Sequence, residues 1–591
     1  MQPASDGNGA RRRSSHLRRY GPLAVIVALL VVVGAVVITG GGGDDGDESA
    51  EDGGNADSLS GWAEPGDEPG APAPEGRMPV TYAEAEAAGE VDDYEWPESC
   101  DTERGTLAIP SVFAAPCVPA FEGDNGGETS TGVTADEIRI VFYAPERSAD
   151  LQSILGGMGA NDTSEQRRDT VEHYVELFMS LGETYGREVV LERFAATGAA
   201  DDVVASRADA TDVLAMEPFA VLGGPALDRG TFAQELADAG VMCFGCAGVL
   251  PNQMVLDMAP YVWASLPTPE QFLANLDAWV AAGVEAGAGS TAQFAGGDLQ
   301  GQEARTGVIN FEQDPPLYNT DDGASAERMR DVDLQESYVL DFPSLPARAA
   351  EIIARFKSEG INRIVFLGDP FMPIYLTQAA TQQDYYPEWI FTGTALTDTN
   401  TFGRQYDQAQ MAHAYGISQL AAPTEQDLQE NIRLYRWFYG EDAFPAAQNQ
   451  YALLSPGAAW LAAGIHMAGP ELTPETFARG LFRIPPRGGG PANPQVSYGN
   501  WGFFEDMDYQ SVDDSAEIWW DPDVEVQDER GETGVGAWRR SNGGERFTAD
   551  EAPSPRPFTD EEDSVTVLDE LTGEDAVPEY PSPPGSPAAA T

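Results

Sequence analysis

A close pair of cysteines, Cys243 and Cys246, is the arrangement in this 591-residue chain that most resembles a reactive site. The Cys-x-x-Cys spacing serves redox chemistry in thioredoxin-like sites, where it opens a long helix, and it also forms plain structural disulfides. Pro251 and Pro260 interrupt the stretch that follows, which favours the structural disulfide. The other two cysteines, Cys100 and Cys117, flank a proline-containing loop, and two disulfides are expected outside the cell.

Other patterns associated with catalysis are missing from the sequence. It has no Gly-x-Ser-x-Gly elbow and no His-Glu-x-x-His motif, and the four histidines, His16, His173, His413 and His466, are scattered. Lys357 is the single lysine, which argues against a Walker phosphate loop or a Schiff base. Pairs of Asp and Glu occur by chance in so acidic a chain. We therefore predict a protein that is not an enzyme and that holds no cofactor or metal.

The acidic loop 505–514, EDMDYQSVDD, has oxygen donors of the kind that calcium prefers. It lacks the glycine and the terminal glutamate of a regular calcium loop. The sequence therefore favours a solvated loop.

A strand-helix-strand unit in residues 219–248 must position the close cysteine pair. A short apolar run ends at Gly223, Gly224 and Pro225, a helical repeat follows, and a second apolar run leads into the cysteines. Two strands joined by a helix lie parallel, so the glycine turn and the cysteine turn meet at the carboxyl edge of one sheet. In open α/β sheets small ligands bind at that edge.

The same alternation of strands and helices extends in both directions. Strands are predicted at 138–143 and 189–194 before this unit, and at 306–311, 335–340, 363–367 and 388–391 after it. The aromatic residues near the last strand, Tyr385, Tyr386, Trp389 and Phe391, are expected to pack in a core. The fold class is α/β, with two doubly wound parallel-sheet lobes joined by a hinge of several crossings around a cleft.

The N-terminal segment and the charge indicate the compartment. Arginines at positions 11–13, 18 and 19 precede the uncharged run 21–40, which is long enough to span a membrane and is followed by acidic residues. We predict a retained single-pass anchor rather than a cleaved signal, with the bulk of the chain extracellular or periplasmic. A formal net charge of -64 excludes nucleic acid as a partner.

These observations divide the chain into segments. The predicted order is a cytoplasmic basic segment at 1–20, a transmembrane anchor at 21–40, a disordered acidic tether at 41–95, a disulfide-stapled lead-in at 96–132, lobe I at 133–265 and about 393–425, lobe II at 266–392 and about 426–523, and a disordered acidic Pro-rich tail at 548–591.

Several short stretches resemble type I periplasmic binding proteins of the Leu/Ile/Val-binding kind. In the first lobe they are GVT at 132–134, IRIVFYAP, FAVLGG and YVWASLPTPEQ; in the second they are INRIVFLGDP, YYPEWIFTGTALTDT and EIWWDPD. The resemblance runs from about Gly132 to Asp523. It implies a receptor without catalytic activity that closes two lobes over an amino acid, an amide or an aromatic acid, with an ABC permease as its partner.

The resemblance also implies which loops touch the ligand. The implied contacts are Tyr143, Pro145, Gly223, Gly224, Pro225, Cys246, Ala247 and Gly248 on the first lobe, and Asp314, Gly368, Asp369, Pro370, Thr394 and Ala395 on the second. Backbone amides at helix starts suit a carboxylate, and Asp369 could take an ammonium group. Amino-acid binders of the family tend to have Ser or Thr where this chain has Gly-Gly-Pro-Ala and Cys-Ala-Gly, which argues against an α-amino acid.

Two functions are compatible with these features. One is a membrane-tethered solute-binding protein that delivers a small organic ligand to an importer. The alternative is a sensing or adhesion ectodomain with the same fold and no transport role. About twenty residues precede the predicted span, too few for a cytoplasmic signalling domain, which favours the first function.

Overall fold

A computed structural model describes residues 78–145, 162–200, 202–225, 228–285, 289–312, 332–448, 450–529, 532–553 and 563–590. The predicted cytoplasmic segment, the predicted anchor at 21–40 and most of the predicted tether lie outside these ranges, and so does Asp314. Within the described ranges, no helix has the length and apolar character needed to cross a membrane.

The described part of the chain begins with a small ordered segment. Helix α1 (Tyr82–Ala88) has a capping box in which Thr81 and Glu84 exchange hydrogen bonds. Strands β1 (Cys100–Asp101) and β2 (Thr106–Leu107) pair antiparallel beside the Cys100–Cys117 disulfide. The prediction of a disordered tether up to residue 95 is thus wrong for residues 78–95. A polar composition cannot fold alone, but here Glu84 pairs with Arg483 of the folded body.

The first lobe contains a five-stranded, wholly parallel sheet. Its strands lie in the order β4-β3-β5-β6-β7. The elements in chain order are β3 (Glu137–Ala144), α2 (Ser164–Met179), β4 (Glu188–Ala195), α3 (Val203–Leu214), β5 (Ala220–Leu222), α4 (Thr231–Asp238), β6 (Met242–Phe244), α5 (Asn252–Asp257) and β7 (Val262–Trp263). The predicted strand-helix-strand unit is confirmed, with Val221 opposite Cys243 in parallel register.

The second lobe is built on an eight-stranded sheet that contains β14-β13-β12-β11-β10-β8-β9 in that order, with β15 beside β13. Its first elements are α6 (Pro269–Glu285), β8 (Thr306–Phe311), β9 (Leu334–Tyr338), α7 (Leu345–Glu359), β10 (Arg363–Leu367), α8 (Met372–Gln382), β11 (Glu388–Phe391), α9 (Asn400–Gly403), α10 (Gln408–Met411) and β12 (Ala414–Ser418). Alternate residues of β10 enter the two cores that cover the sheet, Ile364 and Phe366 on one face and Val365 and Leu367 on the other.

The chain then returns to the first lobe and crosses back. Helices α11 (Glu430–Tyr439), α12 (Tyr451–Ala468) and α13 (Pro474–Phe482) pack into the core of the five-stranded sheet. Strands β13 (Ser515–Gln527), β14 (Thr533–Arg540) and β15 (Arg546–Phe547) extend the second sheet antiparallel. The second sheet is therefore mixed, whereas two wholly parallel sheets were expected.

The predicted division of the later residues between the lobes is wrong. Residues 393–425 were assigned to lobe I, but β12 pairs with β11 in the second sheet. Residues 426–523 were assigned to lobe II, but most of this stretch, as far as Tyr509, joins the core of the first lobe. Helical periodicity identifies an apolar face without showing which sheet that face covers.

The two lobes share one winding order. Numbered within each lobe, the five parallel strands of the first lobe lie in the order 2-1-3-4-5, and strands β8 to β12 of the second lobe repeat it. In this doubly wound arrangement the strand order reverses between the first and third strands, and ligands bind in the crevice at that point. Two such lobes joined by several crossings have the architecture of the type I periplasmic binding protein fold.

The described part of the tail packs on the body, which corrects the prediction of a disordered 548–591. The Leu568 amide donates to the Pro423 carbonyl at 2.8 Å, and the Tyr580 hydroxyl donates to Asp101 at 2.6 Å. Asp575 is buried against Asn493. An extended segment with few apolar residues can be ordered in this way, because the folded body supplies its hydrogen-bond partners.

Candidate functional site

The glycine and cysteine turns of the first lobe meet as predicted. The Gly223 amide donates to the Phe244 carbonyl at 2.8 Å, and Gly223 has φ of 76°, a conformation that favours glycine. A Cβ added to Gly224 would lie 2.2 Å from the Cys246 carbonyl oxygen. The two loops are therefore in backbone contact at the carboxyl edge of the sheet, and a side chain at Gly224 would separate them.

Most side chains at this edge of the first lobe are buried or bonded to other residues of the protein. The Tyr143 hydroxyl donates to buried Asp209 at 2.7 Å, which turns the phenol into the core. A disulfide joins Cys243 and Cys246, and both residues are buried. The remaining predicted contacts are Pro145, which is half-buried, Pro225, which is buried, Ala247, which is half-buried, and Gly248, which is exposed.

The predicted contacts of the second lobe form a separate group at the edge of the other sheet. The Gly368 amide donates to the Thr394 hydroxyl oxygen at 3.1 Å, which joins the loops after β10 and β11. The Tyr406 hydroxyl donates to the Pro370 carbonyl at 3.0 Å. Ala395 is half-buried with φ of 47° and precedes the exposed Leu396. The structure thus brings the predicted residues together within each lobe, as one group on each sheet.

Asp369 does not present a free carboxylate. One of its oxygens accepts hydrogen bonds from the amides of Phe371, at 2.8 Å, and Met372, at 3.2 Å, and the other accepts from the Tyr338 hydroxyl. Burial raises the pKa of Asp369, while these hydrogen bonds oppose the increase. The residue is a buried cap at the start of α8, and this arrangement does not leave it available for the predicted contact with an ammonium group.

A cavity of 1160 Å³ lies at the hinge. Three crossings join the lobes, at 264–268, 419–429 and 510–514, and each contributes to the cavity wall through residues that include Ser265, Leu428 and Ser511. The first lobe adds Trp460 and the second lobe adds Asp398. The cavity is therefore bounded by both lobes and by the three segments that join them.

Sequence reasoning missed this cavity. None of the predicted contact residues in the described ranges lines it. Its wall comes from distant stretches, including Ile109 and Phe113 of the lead-in and Val567 of the tail. Local periodicity carries no signal for such a set; the apolar content of the lead-in at 107–115 was the available hint.

Three charged groups in the cavity wall, Asp398, Arg540 and Glu430, have partners in the protein. Asp398 accepts from the Ser418 hydroxyl, and burial raises its pKa to about 6. Arg540 donates to the Ala421 carbonyl at 2.6 Å, and burial lowers its pKa to about 10. Glu430 accepts from the Ser111 hydroxyl and the Val112 amide. The cavity wall combines apolar side chains such as Phe113 and Trp460 with polar side chains such as Gln426 and Gln448, a mixture that suits a small organic molecule.

Comparison with known proteins identifies related folds. Neither a protein-family model nor a curated protein matches the sequence. Solved structures do. They include a putative branched-chain amino acid ABC transporter protein from Rhodospirillum rubrum (13% identity, TM-score 0.44, covering 68% of this chain and 99% of that one) and a solute-binding protein of an ABC transporter from R. palustris in complex with 4-hydroxybenzoate (13%, 0.45, 71% and 98%).

A third match is a fatty acid ABC transporter substrate-binding protein from Thermomonospora curvata (14% identity, TM-score 0.44, covering 73% of this chain and 98% of that one). This chain is similar in fold to ABC transporter solute-binding proteins. The assignment of the fold here depends on the repeated winding order of the two sheets.

Proposed function

We propose that this protein is an extracellular solute-binding protein, tethered to the membrane by residues 21–40, that closes two lobes over a small organic ligand and delivers it to an ABC importer. The observation that supports this function most strongly is the repeat of one winding order in two lobes, joined by three crossings around a shared cavity. A hinge of this kind lets a ligand that contacts both lobes stabilise the closed state.

The ligand class follows from the groups that the two edges offer. Asp369, the predicted partner for an ammonium group, is used as a helix cap. The loops at the strand ends also carry exposed apolar side chains, Val249 on the first lobe, Leu266 at the first crossing and Leu396 on the second lobe. We therefore propose an aromatic acid or an amide rather than an α-amino acid, held by apolar contacts and backbone amides.

The proposed location is supported by the sequence and by the cysteines. An uncharged run preceded by arginines and followed by acidic residues orients the chain with its bulk outside the cell. All four cysteines of the chain are paired in disulfides, which persist in oxidising compartments.

The direct test is a thermal-shift screen of the full chain against aromatic acids, amides, amino acids and short peptides. A true ligand at 100 times its dissociation constant stabilises the folded state by ~2.7 kcal/mol. We expect stabilisation by an aromatic acid or an amide. Stabilisation by none of these compounds would contradict solute binding, and stabilisation by amino acids alone would contradict the proposed ligand class.

Three variants then test whether the ligand contacts both the strand-end loops and the hinge cavity. Leu396→Asp places a charge on the second-lobe edge, and Ala452→Trp fills part of the cavity from the exposed side of α12. Leu453→Trp is the matched control, since Leu453 is the next residue, is 78% exposed and does not line the cavity. We expect weaker binding in the first two variants and unchanged binding in the control. Equal affinity in all three would place the ligand elsewhere.

A further inference from the structure

Four buried oxygen atoms at the third crossing have no hydrogen-bond donor. They are both carboxylate oxygens of Asp513, one carboxylate oxygen of Asp508 and the amide oxygen of Asn275. Asp513 and Asn275 are 0% exposed and Asp508 is 3% exposed. Buried oxygens without a donor are costly, and buried carboxylates without a counter-charge are costlier still.

These atoms belong to one small region beside helix α6. The Gln271 amide donates to Asp508 at 2.7 Å, and the Asn275 amide nitrogen donates to the Asp513 carbonyl oxygen at 3.1 Å. Gln271 and Asn275 are four residues apart, so they are neighbours on one face of the helix, about 5–6 Å apart at Cβ. Asp508 is therefore held through its carboxylate, and Asp513 through its main-chain carbonyl, beside the same helical turn, and the nearby charge of Asp508 adds to the burial that raises the pKa of Asp513.

No basic side chain balances these two carboxylates. The ion pairs of the described residues place Arg546 on the adjacent Asp514, at 2.8 Å, and none involves Asp508 or Asp513. The side chains of Ser497 and Gln495 lie near Asp513 and partly offset its charge, without reaching either oxygen in good hydrogen-bond geometry. A group of buried oxygen acceptors with no basic neighbour is an environment that a hard cation can occupy.

We propose that Asp508, Asp513 and the amide oxygen of Asn275 bind a calcium ion at the hinge. Calcium fits better than zinc because every available donor is oxygen and the arrangement is irregular. No group of three or more His, Cys, Asp and Glu side chains in the described residues is arranged to hold a metal. Amide, hydroxyl or water oxygens must therefore complete the site.

The proposed ion would join two of the three crossings. Helix α6 begins directly after the first crossing, and Asp508 and Asp513 flank the start of the third. Calcium would hold these segments together and make the hinge stiffer. The sequence favoured a solvated loop at 505–514. The structure corrects this prediction, because Asp508, Asp513 and Asp514 are buried, although Glu505 and Asp506 are exposed.

Terbium binding to the full chain tests the site directly. Tyr509 follows Asp508 in the chain, and its ring centroid lies 5.0 Å from that of Trp263. Because Tyr509 is the residue next to the proposed ligand Asp508, it would sensitise terbium emission, and calcium would quench this emission by displacement. We expect saturable emission, reversed by calcium, and a rise in Tm when calcium is added to the metal-free protein.

Two variants distinguish this site from the acidic surface. Asp513→Asn removes one carboxylate at constant size, and Glu505→Gln removes an exposed one from the same loop. We expect Asp513→Asn to fold without calcium, because a buried charge has been removed, and to lose the saturable emission and the calcium-dependent rise in Tm. Glu505→Gln should keep both. The absence of saturable emission in the native protein, or equal responses in the two variants, would overturn the proposal.

Discussion

At the scale of single residues, His466 shows how one buried side chain ties separate segments together. Its Nδ1 accepts a hydrogen bond from the Glu183 amide at 2.8 Å, and its Nε2 donates to the Pro116 carbonyl at 2.9 Å. The neutral ring thus joins α12 to the lead-in and to the loop after α2. Burial lowers the pKa of His466 to about 4. No sequence pattern indicated this role, because the partners are backbone groups far away along the chain.

The lowered pKa predicts acid destabilisation. The unfolded histidine has a pKa of about 6.5, so its contribution to stability is complete above that pH and is lost as the pH falls toward 4, in total about 3 kcal/mol. We expect the Tm to fall between pH 6.5 and pH 5 more steeply in the native protein than in His466→Gln. The same slope in both proteins would show that His466 is not the group responsible.

At the scale of elements, the sequence indicated which segments form strands and helices better than where those elements pack. Strands β8 and β10 match their predicted bounds, because each is a short apolar run between polar residues. The allocation of α11 and α12 to a lobe failed, because the residues that they cover lie hundreds of positions earlier. Asp369 shows the same contrast between a position that the sequence predicts and packing partners that it does not predict. Its place after a strand was correctly identified, but its use as a helix cap depends on Tyr338 and on the direction of α8.

The capping role of Asp369 gives a test at this scale. Replacing a helix cap by alanine costs about 0.5–2 kcal/mol, and here the Tyr338 hydroxyl also loses its acceptor. We expect Asp369→Ala to lower the free energy of unfolding by about 1–3 kcal/mol in chemical denaturation. Asp369→Ser should recover part of the loss, because serine also caps helices. Equal losses in the two variants would contradict the capping role.

At the scale of the whole molecule, both ends of the described chain are attached to the folded body. The tail contacts the second crossing through Leu568 and Pro423, and Tyr580 bonds to Asp101 of the lead-in. Composition predicted disorder for the tail and for residues 78–95, because it measures what a segment can bury by itself. Their order depends on partners in the folded lobes, which composition does not reveal.

The buried tail residue Asp575 tests this packing. Its carboxylate accepts from the Asn493 side chain at 2.7 Å and from the Ala492 amide at 2.9 Å. Asp575→Ala leaves both donors without an acceptor, so we expect the free energy of unfolding to fall by about 1–3 kcal/mol. Asp569→Ala is the matched control, since Asp569 is an exposed aspartate of the same tail. Equal stability of the two variants would contradict the packing of the tail.

In the proposed function, the two lobes close over a ligand by bending at the three crossings. The most direct measurement is the distance between spin labels at Val204 of the first lobe and Glu351 of the second, both on exposed helix surfaces. The label distance in the full chain is compared without ligand and with a saturating pool of the aromatic acids and amides. We predict that the ligands shift the distance distribution and make it narrower. An unchanged distribution under conditions where the same pool raises the Tm would show that binding occurs without closure and would contradict the account.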